Sequence, residues 1–201
     1  MLGNCYRCNK KVDINDVPSH AQKCNELKDN ECVIGVISEG VSGKLYWVGM
    51  ICTTNTKLSH IETFLKDIWL YCCPHRSTFS YNKKATLMDV IKKTGKMERI
   101  MYEYDMGSTT SAVIQVLKHN EACVLNTAKK ATITLVCQNR APLMKCVDCK
   151  KKAVSVGENG GKCGVCADEE DLPLLNSPRT GVCGYDGENL PENVALFSRQ
   201  Y

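Results

Sequence analysis

Eight residues of this 201-residue chain fall into two sets with the spacing of metal ligands. Cys5 and Cys8 form a C-x-x-C pair near the start, followed by His20 and Cys24. Such a pair suits a tight knuckle whose amides point at metal-bound sulfurs. His20 and Cys24 are i and i+4, so a helix places them one turn apart on one face. This is the ligand pattern of a ββα zinc finger with its last histidine replaced by cysteine, a CCHC finger. Cys146, Cys149, Cys163 and Cys166 form the second set, two C-x-x-C pairs thirteen residues apart. Each pair supplies two thiolates from one turn, and the intervening hairpin folds back to close a four-cysteine zinc ribbon or knuckle. Both sets are complete at four ligands and leave no position for substrate, so the expected cofactor is structural zinc, two ions per chain. Sites of this kind contribute on the order of 10 kcal/mol of apparent binding energy to folding.

Seven cysteines lie outside these sets: Cys32, Cys52, Cys72, Cys73, Cys123, Cys137 and Cys183. Cys32, Cys52, Cys123 and Cys137 fall in or near strand-like runs, where cysteine acts as a small buried hydrophobe. Cys72-Cys73-Pro74-His75 puts thiols beside an imidazole. This group could be an activated nucleophile or, with Cys183, a candidate third metal site. The plainer alternative is structural: Cys72 faces the core and His75 bonds a buried group such as Asp105. Asp105 itself lies in a turn of the kind whose acid commonly caps the backbone. Lys145, Lys150, Lys151 and Lys152 crowd the C-terminal cysteine set. They are either a solvated face or a set of nucleic-acid contacts that meet phosphates without reading sequence. The finger has only Lys23 and Lys28 on its expected helix, too little to read a major groove alone.

These side chains need elements to position them. Pro18 favours a first helical turn, predicting a helix over Val17–Leu27. Glu31–Glu39 and Lys44–Cys52 flank a Gly-Val-Ser-Gly connection and read as a hairpin. In Lys57–Cys73, Leu58, Ile61, Leu65, Ile68 and Cys72 recur at offsets of three and four, one apolar stripe on the main core helix. Thr56 is the expected N-cap and Pro74 the expected stop. Ser77–Tyr81 reads as a strand, Thr86–Lys93 as a short helix stopped by Gly95, and Glu98–Tyr104, Thr110–Lys118 and Lys130–Cys137 as three strands. The expected fold class is α+β, a mostly antiparallel sheet packed on helices. The expected organisation is a free-standing finger over 1–29, a core domain over 30–142, a four-cysteine ribbon over 143–170 and an acidic strap over 171–201.

Composition bounds the rest. Hydrophobic residues make up 43% of the chain, enough for a real core, and no apolar stretch reaches the roughly 18–20 residues of a membrane span. The 14 cysteines are too sparse for a disulfide scaffold, and their pairing favours metal in a reducing, cytoplasmic compartment. No signal peptide is read at the start, because a cysteine motif opens at Cys5 with no apolar run before it. The formal charge of +4 falls to +1 once a four-thiolate site (net −2) and a site of three thiolates and one imidazole (net −1) are filled. That excludes a strong general polyanion binder. The charge is uneven: seven carboxylates face Arg179 and Arg199 from Ala167 onward, leaving a basic body with an acidic tail.

The order Tyr46-Trp47, Thr56-Lys57-Leu58, Phe64 to Leu70, Cys72-Cys73-x-His75, Phe79 and Tyr102-x-Tyr104-Asp105-x-Gly107 resembles the plasmid pRiA4b ORF-3-like proteins. In particular it resembles a branch with an N-terminal finger, a C-terminal cysteine cluster and a closing Asn176-Ser177-Pro178-Arg179-x-Gly181-Val182-Cys183-Gly184-Tyr185. The resemblance covers nearly the whole chain. It implies an α+β fold and a home among plasmid, insertion-element and prokaryotic chromosomal genes, and it brings no catalytic residues. Some relatives carry a resolvase label, but no serine nucleophile with its arginine cluster is present here. Met106 and Ser108 stand where the family turn commonly has an aromatic residue and a second acid, and Pro74 stands where glycine is expected. The sequence therefore points to a zinc-stabilised, non-enzymatic binding protein with a nucleic-acid or protein partner, no membrane and no small-molecule substrate. The alternatives are an enzyme using Cys72, Cys73, His75 and Cys183, and a structural adaptor that displays the finger.

Overall fold

The computed structural model describes residues 1–40, 43–94, 99–120, 130–139, 144–167, 172–185 and 198–201. Cys123, Gly95 and the seven carboxylates of the acidic tail lie outside them. The chain is α+β, with one mostly antiparallel sheet and three α-helices among the described residues. The strands are β1 (Leu2–Cys5), β2 (Lys11–Asp13), β3 (Glu31–Glu39), β4 (Leu45–Thr53), β5 (Ser77–Phe79), β6 (Arg99–Tyr104), β7 (Thr110–His119), β8 (Thr132–Gln138), β9 (Ser155–Gly157), β10 (Gly160–Lys162) and β11 (Ser198–Gln200). The helices are α1 (Val17–Asn25), α2 (Leu58–Leu65) and α3 (Leu87–Thr94). The large sheet runs β2-β1-β8-β4-β3-β7-β6-β5, with β11 also on β8, and β9 pairs with β10 in a separate two-stranded sheet.

The hairpin β3–β4 is the centre of the sheet, in register from Glu31↔Thr53 to Glu39↔Leu45. Every residue of β4 after Leu45 is buried. A half-exposed antiparallel strand would alternate, so this continuous burial means that both faces are covered. Tyr46, Val48, Met50 and Cys52 join the main core with Leu58, Ile61, Phe64, Leu65 and Trp69 of the α2 region. Trp47 and Ile51 point the other way, into a second core with Val12, Val17 and Ala21 of the N-terminal finger. The finger thus covers the second face of the sheet. It is not free-standing, because β1 pairs with β8 through Asn4↔Gln138 and Cys5↔Cys137.

Gly49 makes this docking possible. A Cβ there would lie 2.7 Å from Val17 Cγ1, so helix α1 approaches the sheet where β4 has no side chain. Replacing Gly49 with valine is expected to overpack this contact by about 1–3 kcal/mol, read as a lower urea midpoint with an unchanged m-value.

The core helix departs from the expected one at both ends. Lys57 is its N-cap, with extended backbone, and its amide donates to His60 Nδ1 at 3.4 Å. Thr56 is fully buried instead, its hydroxyl 3.3 Å from that of Thr53. At the other end Lys66–Leu70 widens to a π-turn, closed by the Tyr71 amide on the Lys66 carbonyl at 3.0 Å, and the helix stops at Tyr71 rather than Pro74. The extra residue turns Ile68, Trp69 and Leu70 all inward and releases Cys72 and Cys73 as a loop. Helix α3 has a reciprocal cap: the Thr86 amide donates to Asp89 Oδ2 at 2.8 Å and the Asp89 amide to Thr86 Oγ1 at 3.2 Å.

Candidate metal centres

Among the described residues three groups of four ligand atoms are brought together, each group lying within 4.8 Å internally. They are Cys5, Cys8, His20 and Cys24; Cys146, Cys149, Cys163 and Cys166; and Cys72, Cys73, His75 and Cys183. A tetrahedral ion with metal–sulfur bonds of about 2.3 Å sets sulfurs about 3.8 Å apart, so these dimensions fit a bound ion. The cysteines among the described residues are free thiols rather than disulfides.

The finger builds its group from a knuckle and a helix. The Cys5 amide donates to the Lys10 carbonyl and the Asn9 amide to the Cys5 carbonyl, both at 2.9 Å. Asn9, just after Cys8, takes the left-handed conformation at φ 57°, which turns the chain into β2. Helix α1 has Pro18 in its first turn and ends at Asn25, two residues before the expected Leu27. His20 Nε2 then sits 3.6 Å from Cys8 Sγ. The Cys8 thiol is held below its ordinary value, chiefly by the hydrogen bond from the Lys10 amide, whereas burial and the Cys8 thiol push Cys24 up to about 11. Cys137 lies close behind this group, buried on β8 opposite Cys5, and its thiol is pushed far up by burial first and the neighbouring thiols next.

The C-terminal group repeats the same knuckle. The Cys146 amide donates to the Lys151 carbonyl at 2.7 Å, the Lys150 amide donates to the Cys146 carbonyl at 3.1 Å, and Lys150 is left-handed at φ 63°. The β9–β10 hairpin carries Cys163 back to 3.5 Å from Cys149. The Cys166 amide donates to Cys163 Sγ at 3.4 Å, and amide donation of this kind brings the Cys163 thiol down to about 6. Lys145, Lys150, Lys151 and Lys152 are all exposed around the knuckle. Lys145 and Lys152 stand directly opposite each other in an antiparallel bridge.

The third group spans the chain. Cys72 and Cys73 leave the π-turn and His75 precedes β5, while Cys183 arrives on the C-terminal strap. Cys73 Sγ lies 3.9 Å from both Cys72 Sγ and Cys183 Sγ, and His75 Nε2 lies 3.2 Å from Cys183 Sγ. The Cys73–His75 edge, at 2.7 Å, must lengthen for an ion to enter. The other ring nitrogen of His75 faces Asp105 Oδ1 at 3.4 Å. Asp105, left-handed at φ 63°, also accepts from the Gly107 amide at 3.0 Å.

Behind this group lies Arg179, for which the sequence pattern predicts no role. It is fully buried, yet its guanidinium is partnered on every side. Nε donates to Cys72 Sγ at 3.4 Å, and Nη1 to the Ser108 carbonyl at 2.7 Å and to Thr110 Oγ1 at 3.0 Å. Nη2 is ion-paired with Asp105, and the guanidinium lies 4.9 Å over the Tyr104 ring. Burial alone would raise both the Cys72 thiol and the Asp105 carboxyl, but Arg179 brings each below its ordinary value. In the sequence Arg179 is the only charged residue between 172 and 185.

Comparison with known proteins adds little. No family model and no curated protein match the chain. A solved structure described as a protein of unknown function, MM3350 from Methanosarcina mazei Go1, is similar over 44% of this chain at 15% identity and a TM-score of 0.37. The matched region spans 59% of that protein's length. No helix of the described residues is long and apolar enough to cross a membrane.

Proposed function

We propose that this chain is a zinc-stabilised, non-enzymatic binding protein whose partner is a nucleic acid, met through the lysine face of the C-terminal module. The supporting observation is the Lys145–Lys152 pair. Like charges directly opposite each other in a sheet repel, and a polyanion between them relieves that cost. The knuckle fixes Lys151 beside them, while Lys150 Nζ is turned back onto the Val147 carbonyl at 2.9 Å. Such contacts bind phosphate without reading bases, so the proposed binding is of moderate strength and little sequence preference. Four protein ligands around each ion leave no position for substrate, which supports structural zinc in both terminal modules. The resemblance to the pRiA4b ORF-3-like proteins is what supports a place among mobile-element proteins.

An electrophoretic titration of mixed-sequence DNA and RNA at two salt concentrations tests the reading. Retardation is expected at low salt. Lys145→Gln, Lys151→Gln and Lys152→Gln together are expected to flatten the salt dependence by about two to three in log–log slope. No retardation of either polymer at low salt would overturn it. A protein partner is the second reading, favoured by Val165, which stands 75% exposed at the tip of the same module.

A further inference from the structure

We propose that Cys72, Cys73, His75 and Cys183 hold a third zinc ion, and that this ion fastens the C-terminal strap to the main sheet. The proposal is independent of whether the chain binds nucleic acid.

Three features of this group are those of a built site rather than a chance cluster. Three thiols and one imidazole, their ligand atoms all within 4.8 Å of one another, are a donor set that suits a four-coordinate zinc ion. The imidazole is oriented from behind: Nε2 faces the sulfurs while Nδ1 faces the Asp105 carboxylate, the usual outer partner of a metal-bound histidine. That carboxylate is itself fixed by Arg179 and the Gly107 amide, so the ring has a rigid support. The guanidinium, through Nε on Cys72 Sγ, offsets part of the excess thiolate charge that three cysteines bring to one divalent ion.

The backbone also pays for the arrangement. Gly181, Cys183 and Gly184 are all left-handed, at φ 75°, 49° and 67°. Cysteine rarely adopts that conformation, and holding it there needs a compensating interaction. A metal–sulfur bond supplies one. The residue after a ligand cysteine is left-handed in each of the three groups: Asn9 after Cys8, Lys150 after Cys149 and Gly184 after Cys183.

The ion closes a loop that no local knuckle could close. Cys183 lies 110 residues beyond Cys73, whereas each of the other two groups is contained within a short segment. Just upstream the strap is joined to the C-terminal module, where the Leu175 amide donates to the Val154 carbonyl at 2.9 Å. It then reaches the core helix, where Ser177 Oγ donates to the Trp69 carbonyl. An ion at Cys183 therefore anchors the C-terminal module through its strap.

The test is the zinc content of the full chain by native mass spectrometry, compared with Cys183→Ser and His75→Ala. Each variant is expected to carry one zinc fewer than the unsubstituted chain. Both are also expected to show faster hydrogen exchange in residues 174–185, with exchange in β3 and β4 unchanged. A Cys8→Ser variant, which acts on the finger, is expected to lose one zinc without that change in the strap. The proposal is overturned if Cys183→Ser and His75→Ala leave the zinc count unaltered. Peptide mapping that finds a Cys73–Cys183 disulfide in the freshly purified chain would also overturn it.

Discussion

Replacing Arg179 with methionine is expected to destabilise the chain by about 3–5 kcal/mol, measured by urea unfolding at a fixed excess of zinc. The loss arises less from the contacts that vanish than from the groups left behind. Asp105 is almost fully buried and would keep its charge with no cation beside it. The buried Thr110 hydroxyl would lose a donor inside the protein, and the Ser108 carbonyl would lose one at its edge. A second substitution separates these effects. Asp105→Asn in the Arg179→Met background removes the stranded charge, so the double variant is expected to lose less than the sum of the two single losses. Full additivity would mean that the pair is not coupled and that Arg179 acts through its contacts with Cys72, Ser108, Thr110 and Tyr104.

Cys163→Ser is expected to release one metal ion and to melt the C-terminal module while the main sheet remains folded. Residues 144–167 bury little besides Cys146, Ala153, Ser155, Gly161 and Cys163, too small a core to hold a fold. On the proposed reading a bound ion supplies most of the order in this segment, with the strap's hydrogen bonds to Val154 and Val156 adding to it. Serine keeps the size of the side chain, but its hydroxyl stays protonated where a thiolate is needed as ligand. The Cys166 amide that donates to Cys163 would lose a charged acceptor as well. The checks are an intact-mass count one ion lower and rapid tryptic cleavage at Lys150, Lys151 and Lys152, with unchanged cooperative melting of the sheet. Resistance to trypsin there would show that the module holds itself together without metal.

What could be read from the sequence divides by distance along the chain. The two terminal ligand sets were legible because all four residues of each lie in one short segment, where spacing alone dictates which side chains meet. The β3–β4 hairpin and the stripe on α2 were legible for the same reason, since the periods of strand and helix are local properties. The π-turn at Lys66–Leu70 was not, because one inserted residue in an otherwise helical pattern leaves Ile68 and Trp69 looking equally apolar in either geometry. Thr56 has the chemistry of an N-cap, but burial against Thr53 took its hydroxyl first. The finger read as separate because β1 carries glycine and asparagine and is only four residues long. Its true partner, β8, lies more than a hundred residues further on. Arg179 likewise acquires its role from Asp105, Cys72 and Ser108, all distant in sequence.

The pairing of β1 with β8 has a consequence for how the chain must emerge during synthesis. The finger's ligands leave the ribosome before strands β3 to β8 of the main sheet, and all four lie within one short segment that can close on an ion early. Yet the strand that receives Cys5 is made about a hundred residues later, a wait of roughly 5–20 s at ordinary translation speeds. During that interval Val12, Val17 and Ala21 form an apolar underside with no complete surface to rest on. The nascent finger thus exposes, until β8 is made, an apolar face that the finished protein covers.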